Sequence, residues 1–150
     1  TCPMPTDTPP TIDPVAAARW QRAAPAHSPW LHEEVARRME SRLQWMRQAP
    51  ATWCHWDPVR GGLQAHALLR QRYPGAECFV VETAPHLRAH AAQALALPWW
   101  KAARWTGAGT RFDMPPDGGV QMLWSNMALH MAPDPQALIA QWHRAVAVNG

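Results

Sequence analysis

Cysteine is scarce in this chain of 150 residues: Cys2, Cys54 and Cys78 are widely spaced and form no CxxC arrangement. An odd, scattered set excludes a paired disulfide framework and a zinc ribbon. No apolar run approaches the roughly twenty residues that span a bilayer, and the opening stretch lacks the charged-then-apolar order of a secretion signal. A cytoplasmic protein with no membrane contact is the expectation. Charge is also sparse, 17% of residues, while 47% are hydrophobic, so a charged disordered tail is ruled out and one globular domain fits the length. Lysine is nearly missing: Lys101 is the sole lysine among 14 basic residues, the rest being arginine. The net charge of +3 forms no continuous basic stripe, which argues against a nucleic-acid partner. With one Tyr and two Phe, the ten Trp carry the aromatic packing.

Proline is abundant, sixteen residues, and punctuates the chain. Residues 1–11 hold four prolines and read as a flexible lead outside the folded domain of residues 12–150. Asp13 and Pro14 mark a helix entry for residues 12–24. Residues 30–48 follow with Ser28 as cap and Leu31, Val35, Met39, Leu43 and Met46 at helical spacing. Glu33, Glu34, Arg37, Arg38 and Glu40 fall on its other surface, read as a solvated face with acid-first pairs. Residues 51–56 read as a buried strand, residues 63–73 as a helix and residues 77–82 as a strand closed by an acid. A helix over 85–97 stops at Pro98, and Ala102 to Trp105 is a candidate strand within a Gly/Pro loop. Residues 120–124 are the last strand, and residues 134–147 a helix capped by Asp134, with Leu138, Ile139, Trp142 and Val146 inward. This alternation predicts an α/β domain, doubly wound, with a mostly parallel sheet flanked by helices.

In such a sheet, ligands bind beyond the carboxyl ends of the strands. Gly61 and Gly62 lie between the first strand and its helix, and Glu82 ends the next strand about twenty residues on. This is the spacing of a backbone turn that approaches a nucleotide and an acid that accepts ribose hydroxyls. The same residues also read as a plain turn and a solvated strand end. His55 and His130, at or after strand ends, are acid–base candidates or packing residues. His86 and His90 sit at i, i+4 with no third ligand near in sequence, so no metal is expected. Met39, Met46, Met122, Trp124 and Trp142 read as core, and Trp99 with Trp100 as a loop pair at a substrate mouth or a core cover.

Residues 29–51, residues 68–77, the strand ending in Glu82 and above all residues 123–135 (LWSNMALHMAPDP) resemble class I S-adenosylmethionine-dependent methyltransferases. More narrowly, they are similar to the malonyl-acyl-carrier-protein O-methyltransferases of biotin synthesis. The resemblance implies a Rossmann-like methyltransferase fold, S-adenosylmethionine as cofactor and an acidic acyl carrier protein as partner, with Arg19, Arg22, Arg37, Arg38 and Arg42 steering its approach. It places Gly61 and Glu82 at the cofactor, and Ser125 and Asn126, with His130 beside them, at the acceptor. It also exposes departures. His55 stands where the family has an acid, Asp57 and Val59 where it has glycines, and Gly109 where it has a third acid. Asp57 is then the substitute partner for the cofactor's ammonium, and Asp113 the substitute on the adenine side. Side chains at 57 and 59 stand where a backbone must come close, so an inactive relative that serves as a binding partner is the alternative. The chain stops at Asn149 and Gly150, at the turn before the family's fifth strand, so the C-terminal strands are expected to be missing. The edge left open invites pairing with a second copy.

Overall fold

The computed structural model describes residues 12–98 and 109–150. The Pro-rich lead, the Trp99–Trp100 pair and the candidate strand at Ala102 to Trp105 lie outside the described residues. Four parallel strands form one sheet: β1 (Thr52–Trp56), β2 (Glu77–Val81), β3 (Thr110–Arg111) and β4 (Met122–Ser125), in spatial order β3-β2-β1-β4. The helices are α1 (Pro14–Ala23), α2 (Trp30–Arg42), α3 (Pro58–Gly61), α4 (Leu63–Arg72), α5 (Pro85–Leu95) and α6 (Pro135–Ala145). Among the described residues, no helix is long and apolar enough to cross a membrane.

The α/β alternation, the parallel sheet and the flanking helices are those read from the sequence. In β1, Trp53 and His55 face one side and Cys54 and Trp56 the other, the period-2 rule of a strand. Trp53, Cys78, Val80, Met122 and Trp124 meet Ala36 of α2, Ala65 and Leu69 of α4 and Leu95 of α5. On the opposite face Cys54, Trp56, Phe79 and Val120 pack under Leu138, Trp142 and Val146 from the α6 region. Asp13 caps α1 through Val15 N at 2.8 Å, and Asp134 caps α6 through Ala137 N at 2.9 Å, as their positions before Pro predict.

Several boundaries differ for physical reasons. The helix expected over 30–48 ends at Arg42 and tightens into a 3₁₀ turn, Leu43–Trp45. Leu31 and Met46 are each 48% exposed, and the position that α2 buries completely is Ala36, because close approach to α4 selects a small side chain. Ile139 is likewise exposed rather than inward. Ser28 caps nothing in α2; its side chain reaches across to α3 and α4. Two short elements escaped sequence reading, the single turn of α3 and the two-residue β3, since neither is long enough to display a period.

The chain runs from β1 outward through β2 to β3 and then returns to the other side of β1 as β4. Strand order therefore reverses at the neighbouring tips of β1 and β4, where a crevice opens in folds of this kind.

Candidate functional site

A cavity of about 250 Å³ lies at that reversal. Its walls include Asp57 after β1, Glu82 and Thr83 after β2, Asn126 and Met127 after β4, and Trp20 of α1. A second cavity, about 270 Å³, holds Asp113, Phe112 and Arg88 on the β3 side. Glu82 lines both. Each is a little smaller than the usual small-molecule site of roughly 300 Å³ or more, but the two share Glu82 in their linings.

Two non-glycine residues on the first cavity's wall adopt left-handed backbone, Asp57 at φ 50 and Met127 at φ 56. Strained conformations of this sort gather at functional sites. Asp57 holds the turn conformation that a glycine would supply, and its short polar side chain makes that tolerable. One of its oxygens, Oδ1, accepts from the backbone N–H and the hydroxyl of Thr83, both at 2.8 Å.

Glu82 is 8% exposed, with Oε2 accepting from Val59 N at 3.3 Å and Oε1 from Ala84 N at 3.4 Å. Burial first, and then the neighbouring charge of Asp57, raise its pKa to about 7. Burial also raises Asp57, while the Thr83 bonds and the one with Glu82 pull it back. The pair therefore shares a proton that resides on Glu82. Among the described residues, neither carboxyl has an ion-pair partner.

The turn between β1 and α4 is latched from outside. Three consecutive carbonyls of α3 each accept a bond from a distant side chain: Val59 O from Ser28 Oγ at 2.7 Å, Arg60 O from His32 Nδ1 at 2.7 Å, and Gly61 O from Asn126 Nδ2 at 2.6 Å. Asn126 Nδ2 also donates to His32 O at 2.9 Å, which uses both amide hydrogens. Asn126 thus positions the turn and α2 and has no donor left for a substrate. The first amides of α4 are closed off as well, by Ser28 Oγ on Leu63 N and Glu33 on Gln64 N and Ala65 N. Glu33 is a cap on α4 and not part of a solvated face.

Gly61 is required for contact rather than for a ligand. A Cβ there would stand 2.9 Å from Asn126 O. Gly61→Ala is expected to lower stability by about 1–3 kcal/mol, read from the midpoint of urea unfolding. An unchanged midpoint would show that the latch yields freely.

The remaining sequence candidates separate. Val59 turns away from the cavity into a cluster with Ala84, Leu87 and Ala91, so it blocks nothing. His55 is fully buried and faces α4, not the cavity, because its place in the strand puts it on the same side as Trp53. His130 lines the cavity from the 3₁₀ turn Leu129–Met131. Ser125 ends β4 opposite Trp56 and is half-buried, outside the cavity lining. Sequence reasoning missed His32, Ser28, Glu33, Thr83 and Met127 as site residues. Apart from the Ser28–Pro29 pair, read as an ordinary helix entry, nothing local marks them.

Among curated proteins, the malonyl-[acyl-carrier protein] O-methyltransferase of Laribacter hongkongensis is 32% identical over 142 residues. This chain is related to a methyltransferase. The matched region covers 90% of the chain and 45% of that relative, so the chain spans less than half of the relative's length. No family model matches the chain. No solved structure matches it either. The methyltransferase relationship agrees with the parallel sheet and with a crevice at its strand reversal.

Proposed function

We propose that this chain binds S-adenosylmethionine across the two cavities and takes part in transfer of its methyl group. One observation carries the reading: Glu82 lines both cavities, with Asp57 beside it and no cation paired to either among the described residues. Such an anionic wall suits a nucleoside that bears an ammonium and a sulfonium. Once the proton shared with Asp57 has left, each Glu82 oxygen, which already accepts one backbone bond, has a second lone pair for a ribose hydroxyl. Asp57 supports the cationic end, and Asp113 lies in the second cavity on the adenine side. When bound, the cofactor supplies an electrophilic methyl group. The protein's part is then chiefly to orient an acceptor and exclude water. Trp20, Gln21 and Ala24 of the α1 region line the cavity, and His86 Nε2 reaches Ala24 O at 3.3 Å to hold that helix end.

In the finer reading the acceptor is a carboxylate carried by acyl carrier protein, as the relative's name suggests, within biotin synthesis in the cytoplasm. Arg19, Arg22 and Arg42 steer the acidic carrier; Arg37 and Arg38 contribute less because both pair with Glu34.

Calorimetry with S-adenosylhomocysteine tests the cofactor reading. Micromolar binding is expected, lost in Glu82→Ala. Because ribose hydroxyls donate to a carboxylate and Glu82 titrates at about 7, affinity should fall as pH drops from 8 to 6. The absence of binding by well-folded protein would overturn the proposal.

A further inference from the structure

The cavity lining carries charge of both signs. Asp57 and Glu82 come from the tips of β1 and β2, while His32 from α2, Arg60 from α3 and His130 from the turn after β4 form the basic portion of its lining. Among the described residues, none of these three basic side chains forms an ion pair with an acid. The Arg60 guanidinium reaches only a neutral acceptor, His27 O at 3.3 Å.

His32 is the most constrained of the three. Its Nδ1 lies 2.7 Å from Arg60 O, and a carbonyl can only accept, so Nδ1 carries the hydrogen. Its own carbonyl is fixed by Asn126 Nδ2 at 2.9 Å. The ring is thereby held in one orientation on the cavity wall, and Nε2 has no hydrogen-bond partner among the described residues. A neutral ring presents Nε2 as an acceptor; a second proton turns it into a charged donor with Nδ1–H still satisfied.

We infer that His32 is the side chain that seizes the carboxylate of the acceptor, taking up a proton at Nε2 as it does so. This inference rests on the methyl-transfer reading above and adds to it the residue that recognises the acceptor. The charged groups around the ring decide when protonation occurs. Arg60 and His130 line the same cavity as the ring, as do Asp57 and Glu82, and α1 contributes no charge there. On its own helix, Glu33 is engaged with α4 and Glu34 with Arg37 and Arg38. His32 also lies in the first turn of α2, where the helix dipole disfavours a cation. The ring therefore lacks a counter-charge of its own, and an entering carboxylate supplies it. No covalent step is involved: a proton passes from water to Nε2, and Nε2–H donates to a carboxylate oxygen.

Malonate serves as the probe, with the imidazole ¹⁵N signals of His32 followed by NMR with and without S-adenosylhomocysteine. Malonate is expected to move the His32 imidazole ¹⁵N signals toward those of a ring protonated on both nitrogens. His32→Asn keeps an N–H for Arg60 O but removes Nε2. This variant should lose at least about tenfold in malonate affinity. If malonate leaves the His32 imidazole signals in place, or His32→Asn binds malonate unchanged, the inference is overturned. If S-adenosylhomocysteine does not bind but malonate still shifts His32 in the ligand-free protein, the cofactor reading fails and the carboxylate subsite stands.

Discussion

Acidification from pH 6.5 to 4.5 will lower the stability of this protein by about 1.4 kcal/mol per pH unit, and removing two histidines will reverse the sign. His55 of β1 and His66 of α4 stack in the core, ring centroids 5.2 Å apart and planes 11° from parallel, with their Nδ1 atoms 3.0 Å from each other. That contact needs one proton between two nitrogens. A second proton there would set two N–H groups against each other, and charging both rings would place two cations face to face in a site that also holds Trp53. Burial, and then the mutual charge, drive His55 well below its ordinary value of 6.5. Burial, and then Arg70, bring His66 to about 3. Below pH 6.5 the unfolded chain therefore binds two protons that the folded chain refuses, and stability falls. Glu82 acts in the opposite direction: raised from 4.5 to about 7, it is protonated in the folded state before the unfolded one, and so stabilises on acidification. Two protons against one leaves a net loss worth one. In His55→Phe/His66→Leu the raised carboxyls of Glu82 and Asp57 remain, and both favour the folded state on acidification, so this variant should become more stable between pH 6.5 and 4.5. Urea unfolding at five pH values measures both slopes. A flat profile in the unaltered protein would mean that the histidine pair opens to water.

Asn126→Ala should cost about 2–4 kcal/mol, far more than an ordinary loop substitution, because Gly61 O and His32 O both lose their donor. Asn126 is only 5% exposed, so water cannot readily replace the amide. Asn126→Asp should be worse than alanine despite its closer shape, since a carboxylate turns acceptors toward two carbonyl oxygens. Thermal unfolding midpoints should rank the unaltered protein above Asn126→Ala, and that variant above Asn126→Asp. The loss also extends to the cavity: with the latch gone, α2 and α3 separate and His32 no longer has a fixed ring. If the aspartate variant equals the unaltered protein in stability, Asn126 does not hold these segments together.

These two predictions involve residues that behave differently from one another as sequence signals. Asp13 with Pro14 and Asp134 with Pro135 are local devices: cap and helix lie within a few residues, and both were legible. The same holds for the strands around Cys54 and Val80, whose side chains are set by the apolar content of one short run. The place of Glu82 at the tip of β2 was legible because strand, turn and helix fix it within a single crossover unit. His55 was not, since its role depends on which face of β1 it occupies and on His66 meeting it from α4. Asn126 was singled out correctly as a residue of the β4 tip, but its partners lie 65 and 94 residues away in sequence, and its task is positioning.

Glu33 shows the limit most plainly. Four residues before Arg37 it resembles half of a surface pair, yet the fold commits its carboxylate to the first amides of α4. The order of amino acids by itself determined the α/β alternation, the helix entries and the acid at the second strand's end, because caps, prolines and hydrophobic period act over a few residues. Only the tertiary structure decided that Val59 turns away from the cavity while Asp57 lines it, that three distant side chains latch the altered turn, and that a histidine pair fills the core. Those outcomes depend on hydrogen bonds and packing between segments far apart in the chain, whose partners are set by the approach of elements and not by spacing.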